Sequence, residues 1–569
     1  MEGDSMTAPL PGGASEPADV EARHRGLVAR TVLVSALTLV SRLLGFLREG
    51  LTSAVFGDRS VISDAFFTAW RLPNLFRRLL GEGALSTALQ ADMTAIDARE
   101  GDAAGRALFQ GVLRLTGVIL LLVAAATMVL VAWMPDRLPL LGWQWLGDDP
   151  EPVRDLMVRL LPYVVLICLA AVCAGGLAVR GHFALPNLAP TVMNLVWIGA
   201  LIWIGVASDW GRTAGDDPAT LRAGQWELAR WLAWGLLLGG VLQLALHLLP
   251  LRRFHLVGGQ RVPSPVRPAR VLWGTLPLVV GAAIYQINVM VDGLMANSLL
   301  VTGGASALYY ANRIQQFPLA LVSTAAVNAV FPALSAHAQS GSSGALRVRA
   351  LHDRTQMGIL FLALPSAAGL LALAEPIASV CLERGNFGAE GMTRVAVGLR
   401  FLAVALIPAG AAGVTTRAYV AMGDRRTPVM FSLVTLIGNV LLNVAFVRGL
   451  RMDVGGLTLS TALTSWLNVI LLTGGLRTHL ELPAGAPELP GRLVRMTLAA
   501  GLCGAGALGA HRGVAVLLGS PLPRHSLPAL LAAIALGGGL YLAATRLLGV
   551  PESAELGRRL RRVLGRGRG

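Results

Sequence analysis

The sequence predicts an all-α polytopic membrane protein of fourteen transmembrane helices: two pseudo-repeated six-helix lobes of parallel topology, then two C-terminal helices. Three observations predict it. Of 569 residues, 54% are hydrophobic and only 14% charged, with a mean hydropathy of +0.61, whereas a soluble domain carries about a quarter charged residues. Apolar runs long enough to cross a bilayer recur along the whole chain, each ending at charged or Pro/Gly-rich punctuation. Finally, segments of the first half are echoed in the second with an even number of spans between them, as parallel repeats require.

In order, residues 1–29 are polar and rich in Gly, Pro and acid. They lack the basic-then-apolar layout of a cleaved signal peptide and predict a disordered cytoplasmic tail before a retained first helix. The N-lobe, 30–250, holds spans near 31–57, 61–94, 106–135, 153–180, 186–207 and 227–250. A basic cytoplasmic linker, 251–268, leads into the C-lobe, 269–478, with spans near 269–300, 303–338, 353–383, 391–421, 426–448 and 454–477. Two more, near 489–510 and 526–548, form a unit at 489–548 outside the repeat, and 549–569 is a basic cytoplasmic tail.

Loop charge orients the bundle. Arg23, Arg25 and Arg30 before the first span, Arg252, Arg253, Arg261, Arg267 and Arg270 in the linker, and Arg347, Arg349 and Arg354 share one parity. So do Arg425 and Arg426 and the tail's Arg558, Arg559, Arg561 and Arg562. Loops of the other parity are acidic or neutral, with Asp136, Asp148, Asp149 and Glu151 in one and Asp209, Asp216 and Asp217 in another. Both termini are therefore expected in the cytoplasm. The net charge of +15 is mainly a topology signal, so no nucleic-acid partner is expected. There is no lysine, which removes any phosphate-loop lysine and ATP hydrolysis by that route. Cys168, Cys173, Cys381 and Cys503 lie in apolar runs without metal-ligand spacing and read as small buried hydrophobes.

The repeat is direct. Arg180-Gly-His-Phe-Ala-Leu-Pro-Asn-Leu-Ala-Pro190 is echoed by Arg417-Ala-Tyr-Val-Ala-Met-Gly-Asp-Arg-Arg-Thr-Pro428, and Phe66-Phe67-Thr-Ala-Trp-Arg71 by Tyr309-Tyr310-Ala-Asn-Arg313. A site is expected between the two halves. Charge falls where spans should have none: Arg42, Arg48 and Glu49 in the first, Asp64, Arg71, Arg77 and Arg78 in the second, Arg313 in the eighth. An arginine at mid-bilayer costs about 2.5–3.5 kcal/mol on insertion scales, so such groups persist where they face a polar cavity, a partner or a substrate. At about 100° per residue Asp64, Arg71 and Arg78 share a stripe while Arg77 lies a quarter-turn away. Arg77 and Arg78, near the span's end, can also snorkel to the interface. Too few acids are at hand to neutralise the cations, which points to an anionic substrate.

The segments Ser41-Arg-Leu-Leu-Gly-Phe-Leu-Arg-Glu49, Ser63-Asp-Ala-Phe-Phe-Thr-Ala-Trp-Arg-Leu-Pro-Asn-Leu-Phe-Arg-Arg78, Gly81-Glu-Gly-Ala-Leu-Ser86, Tyr309-Tyr-Ala-Asn-Arg-Ile-Gln-Gln-Phe-Pro318 and Glu383-Arg-Gly-Asn-Phe387 resemble the MurJ (MviN) lipid II flippases of the MOP transporter superfamily. The resemblance runs from about residue 30 to 548. It implies alternating-access movement of the undecaprenyl-pyrophosphate-linked peptidoglycan precursor from the cytoplasmic to the periplasmic leaflet of the bacterial inner membrane. The implied protein is a monomeric transporter, not an enzyme, acting among membrane lipids near cell-wall synthases. The family's cavity arginines carry over as Arg42, Arg48, Arg77 and Arg313, with Asp64 and Arg71 as accompanying charges, and its lipid-tail groove as the last two spans. Asn312 and Gln316 stand where some relatives carry acids, so this cavity should be more positive.

A second polar cluster stands apart. Asp292 lies one turn beyond Asn288 in the seventh span, and Asn439 and Asn443 share a face of the eleventh. Carboxylate and amide oxygens are hard ligands suited to a small cation, and the resemblance implies Na⁺ there as a coupling ion; no other cofactor is expected. Interhelical hydrogen bonding by asparagine is the alternative. For the whole chain, the alternatives are a flippase for another polyprenyl-linked glycan, of O-antigen or capsule type, and a polyprenyl-dependent glycosyltransferase using Asp148, Asp149 and Glu151.

Overall fold

The structure, a computed structural model, describes residues 37 and 39–565 apart from 59, 82–83, 137–143, 148, 183, 208–217, 258–262, 265, 321, 323–324, 341–342, 479, 482–486 and 518–525. The expected tail at 1–29 lies outside these residues, as do Asp148, Asp209, Asp216, Asp217 and Arg261. Every regular element among the described residues is helical. In the first half these are α1 (39–56), α2 (Val61–Phe76), α3 (Ala84–Glu100), α4 (Asp102–Trp133), α5 (Pro150–Leu160), α6 (Pro162–Val179), α7 (Ala184–Ala207) and α8 (Pro218–Arg253). The second half begins with α9 (Pro268–Leu299), α10 (Gly304–Leu319), α11 (Ala325–Ala338), α12 (Gly344–Ala372), α13 (Ala374–Leu382) and α14 (Ala389–Ala421). It continues through α15 (Arg426–Val444), α16 (Val454–Thr478), α17 (Leu489–Leu517), α18 (Leu527–Leu547) and α19 (Pro551–Gly565).

Ten helical segments are long and apolar enough to cross a membrane among the described residues, which makes the chain a polytopic membrane protein. The four other expected spans, near 31–57, 61–94, 269–300 and 303–338, are helical where described, and all four carry charge. Leucines on the outer faces, such as Leu121 and Leu122 on α4 and Leu441 on α15, are 60–66% exposed, as a surface solvated by acyl chains permits.

Several expected single spans are broken, for chemical reasons. The second is α2 and α3 joined through a π-helical turn, Arg77–Gly81. Pro73 lacks an N–H and crowds the carbonyl one turn earlier, and the Arg77 N–H then reaches both Pro73 O and Asn74 O. The eighth span is α10 and α11, with Pro318 at the end of α10. The segment expected at 153–180 divides at Leu161, before Pro162. The segment expected as a C-terminal basic tail contains α19, bound to α12 and α17 by Arg354–Glu555 at 3.2 Å and Arg492–Glu552 at 4.0 Å.

The sequence repeat has a backbone counterpart, in a different register. α6 ends at Gly181 (φ +78°) with His182 N–H donating to Leu177 O, and α14 ends at Gly423 (φ +91°) with Asp424 N–H donating to Tyr419 O. These are the same left-handed helix stop. Gly181 therefore corresponds to Gly423, and Arg417, which opens the second echo, lies inside α14 rather than at the turn.

Helices α2 to α8 pack mainly with one another, as do α10 to α16, while α17 and α18 pair and lie on α12. Helix α9 belongs to the second half yet packs against α2, α3 and α4 as well as α10 and α15. The halves also meet along α2 and α10, where Phe67 stacks on Tyr309 with ring centroids 4.1 Å apart and Ser63 Oγ lies 3.0 Å from Ser306 Oγ. Nearby, Asn386 N–H donates to Ala54 O at 3.0 Å and Gly391 N–H to Asp58 at 2.7 Å. Together these contacts seal one end of the molecule. Gly303 stands there with φ +89°, and a methyl group on it would overlap the Asp58 carbonyl oxygen. Gly303→Ala should therefore cost more than about 1 kcal/mol of stability. The check is a lower melting temperature of the detergent-solubilised protein, and native-like melting would contradict this account of the seal.

Candidate functional site

Below the seal a chamber of about 420 Å³ opens between the halves, walled by α1, α2, the π turn, α6, α7, α8, α9 and α10. Six arginines line it: Arg42 and Arg48 from α1, Arg71 from α2, Arg77 and Arg78 from the π turn, and Arg313 from α10. The carboxylate on its wall is Glu49. The expected cavity arginines are thus brought together from both halves of the repeat.

Glu49 holds the centre. It pairs with Arg48, its neighbour in sequence, and receives Arg313 Nε at 3.0 Å and the Tyr309 hydroxyl at 3.3 Å. Arg48 also donates to Asn194 Oδ1 at 3.0 Å and lays its guanidinium over Trp197, 4.3 Å from the ring centroid. Gly45 faces the same groups, with Asn194 and Arg313 both on its side of α1. Arg42 is exposed to the chamber, and no hydrogen bond or ion pair reaches it among the described residues. Both Arg77 and Arg78 line the chamber, Arg77 donating to Asn74 at 2.9 Å and Arg78 to Gln316 at 3.1 Å. The sequence had set them a quarter-turn apart on an ideal helix, but the π turn that carries both is wider. Asn312 and Gln316 also reach the wall.

Arg71 is buried, 9% exposed, and donates from Nη1 to Val289 O at 3.4 Å, while its Nε and Nη2 are buried without a hydrogen-bond partner. An ionised group left so in a low-dielectric interior calls for an acceptor. Asp64 departs from expectation. It lies away from the chamber wall and accepts from Gly303 N–H at 2.6 Å and from the Ser306 N–H and hydroxyl at 2.8 and 2.6 Å, so it caps the start of α10. The orphan amides of a helix N-terminus satisfy a buried carboxylate better than a distant guanidinium does. Asn194 and Tyr309, missed as site residues, left a faint trace in sequence: an asparagine inside an apolar span, and a tyrosine within the echoed motif.

Behind α9 the second cluster assembles. Asn443 Nδ2 donates to Asp292 Oδ1 at 2.7 Å and lies 3.1 Å from Asn439 Oδ1, and Thr461 Oγ1 donates to Asp292 Oδ2 at 3.4 Å. The Asn443 and Asn288 side-chain oxygens are buried with no hydrogen-bond partner. The unmet Asn443 oxygen, with the Asn439 amide oxygen, a buried carboxylate and a hydroxyl joined to it by these bonds, makes a donor set that fits a small hard cation.

A helical bundle of two repeated halves, closed at one end and holding a cationic chamber between them, defines a polytopic membrane transporter rather than an enzyme. The family model described as Lipid II flippase MurJ matches residues 52–522, and the chain belongs to that family. A relative from Burkholderia cenocepacia named lipid II flippase MurJ is 30% identical over 453 residues, covering 78% of this chain and 82% of the relative. Among solved structures, lipid II flippase MurJ in an inward closed conformation aligns with a TM-score of 0.65 at 19% identity, over 91% of this chain and 98% of that one. An inward-facing multidrug-resistance MATE transporter of the MOP superfamily aligns with a TM-score of 0.58 at 16% identity, over 80% and 99%.

Asp64→Ala should cost about 3 kcal/mol or more, since it strands buried amides at the start of α10. The melting temperature should fall while pyrophosphate binding per folded molecule stays near native. A stable variant that no longer binds would return Asp64 to the chamber.

Proposed function

We propose that this chain moves lipid II, the undecaprenyl-pyrophosphate-linked peptidoglycan precursor, from the cytoplasmic to the periplasmic leaflet of the bacterial inner membrane by alternating access. The observation that carries this reading is six arginines from both halves facing one chamber against a single carboxylate. A pyrophosphate brings about two negative charges and several acceptor oxygens, and charge-assisted hydrogen bonds to guanidinium are strong where water is scarce. Family membership narrows the glycan to the peptidoglycan precursor. Loop charge supports cytoplasmic termini, which makes the sealed end periplasmic and the chamber inward-directed. The acidic loop does not favour glycosyl transfer, because Asp149 pairs with Arg222 and Glu151 lies in the first turn of α5.

In this reading Asp292, Asn439, Asn443 and Thr461 would hold Na⁺, which supplies an electrochemical gradient to the cycle. The protein's own part is to present the chamber alternately to each leaflet, the α2–α10 seal opening as the other end closes.

Arg42→Ala and Arg313→Ala should each fail to restore growth of a strain depleted of its own flippase while protein abundance stays near normal. Loss of one desolvated charge contact costs about 2–5 kcal/mol, and growth supported by both variants would end the chamber model. Separately, replacing Na⁺ by choline at fixed membrane potential should slow lipid II movement in vesicles, and Asp292→Ala should erase that difference.

A further inference from the structure

Helix α9 is the shared wall between the anion chamber and the Asp292 cluster. Asp292, one turn beyond Asn288, faces α15 and α16, where it meets Asn443 and Thr461. The residues next to them, Val289 and Gly293, face α2, and Arg71 lies along that strip. Its Nη1 reaches Val289 O, and a methyl group on Gly293 would overlap Arg71 Cδ, Nε and Cζ, so the guanidinium rests on bare backbone that only glycine leaves open. Asp292 precedes Gly293 in sequence, so its carboxylate stands on the other side of the helix turn on which Arg71 rests. Arg71 also lines the chamber, with Nε and Nη2 unmet.

We infer that Arg71 is the positioning residue through which the cation cluster and the anion chamber communicate, making cation and pyrophosphate bind with positive cooperativity. This rests on the reading of the chamber as a pyrophosphate site and of the cluster as a Na⁺ site. With the cluster empty, the Asp292 carboxylate offsets the Arg71 charge and draws it toward α9. A cation on Asp292 cancels that attraction, and the whole guanidinium charge becomes available to the anion. Linkage requires the reverse effect to be equal, so a bound anion tightens the cation site by the same factor. Direct contact between the two ligands is not needed, because both act on one side chain across one helix. Gly293 is essential in this arrangement, since any larger residue lifts Arg71 off the wall.

The test measures binding to the full chain in phosphatidylcholine nanodiscs, with farnesyl pyrophosphate as the anion and sodium chloride or choline chloride as the salt. The native protein should bind farnesyl pyrophosphate at least about five-fold more tightly in Na⁺, the lower range of coupling between sites. Radioactive ²²Na⁺ binding should tighten by the same factor on adding the anion. Arg71→Gln should bind the anion more weakly in both salts with no difference between them while still binding ²²Na⁺, and Arg71→Lys, which keeps the charge, should recover part of the difference. Gly293→Ala should reduce the coupling with all arginines in place. If Arg71→Gln keeps the native salt dependence, or the native protein binds the anion equally in both salts, the inference is overturned and the pyrophosphate chamber stands. If farnesyl pyrophosphate fails to bind the native protein in either salt, the chamber reading falls and the inference with it.

Discussion

The structure depends on one electrostatic constraint: charge of a single sign, gathered within a membrane-embedded bundle, must be given acceptors. Each guanidinium brings five N–H donors and stays ionised, so burial cannot be relieved by losing a proton. Glu49 meets part of the demand for Arg48 and Arg313, and amide oxygens of Asn74, Asn194 and Gln316 meet part for Arg77, Arg48 and Arg78. The unmet donors of Arg71 remain, as does Arg42, which has no partner among the described residues. Removing water raises the attraction between these groups and an incoming anion, so an arrangement costly when empty is strongly selective when filled.

Geometry around the chamber follows from that demand. In the first half, Pro73 opens the ladder of α2 into the π turn that aims Arg77 and Arg78 inward. In the second half Pro318 ends α10 just beyond Arg313. Rigid packing lies elsewhere, in the aromatic seam of Phe66, Phe67, Trp70, Trp197 and Tyr310, whose ring contacts fix α2 against α7 and α10.

How much of this was legible in the sequence varies with the kind of signal. Membrane class, helical fold and the arginine constellation are carried by composition and by charge in the wrong solvent, and these signals survive without knowledge of tertiary contacts. The roles of Arg77 and Asp64 were not legible in helix geometry, because one ideal helix sets Arg77 off the ionic stripe and Asp64 on it, whereas Arg78, on that stripe, does reach the chamber. A π turn changes the angle per residue, and no periodicity announces it beyond a proline four residues earlier. Asp64 sits on the stripe of Arg71, yet its partner is the N-terminus of α10, whose approach is visible only after folding. The Asp292 cluster was half legible: Asp292, Asn439 and Asn443 stood out as polar residues in apolar spans, whereas Thr461, in the twelfth expected span, is of a type common in membrane helices and carries no mark.

The seal and the chamber differ in a way that bears on how the protein can alternate. At the seal, Asp58 and Asp64 accept backbone amides from the other half, and Asn386 bonds the backbone of α1. Such bonds are worth about 0.5–3 kcal/mol net, because water replaces them when the halves part. The seal can therefore open at modest cost, provided the charges below it are occupied. On the proposed reading, an empty chamber closed to both leaflets would leave Arg71 unmet, whereas a bound pyrophosphate would carry its acceptors along through that closed intermediate. Satisfaction of the guanidinium donors would thus lower the barrier for the loaded protein more than for the empty one, and the same burial that makes the arginines costly at rest would direct the cycle toward transport with substrate aboard.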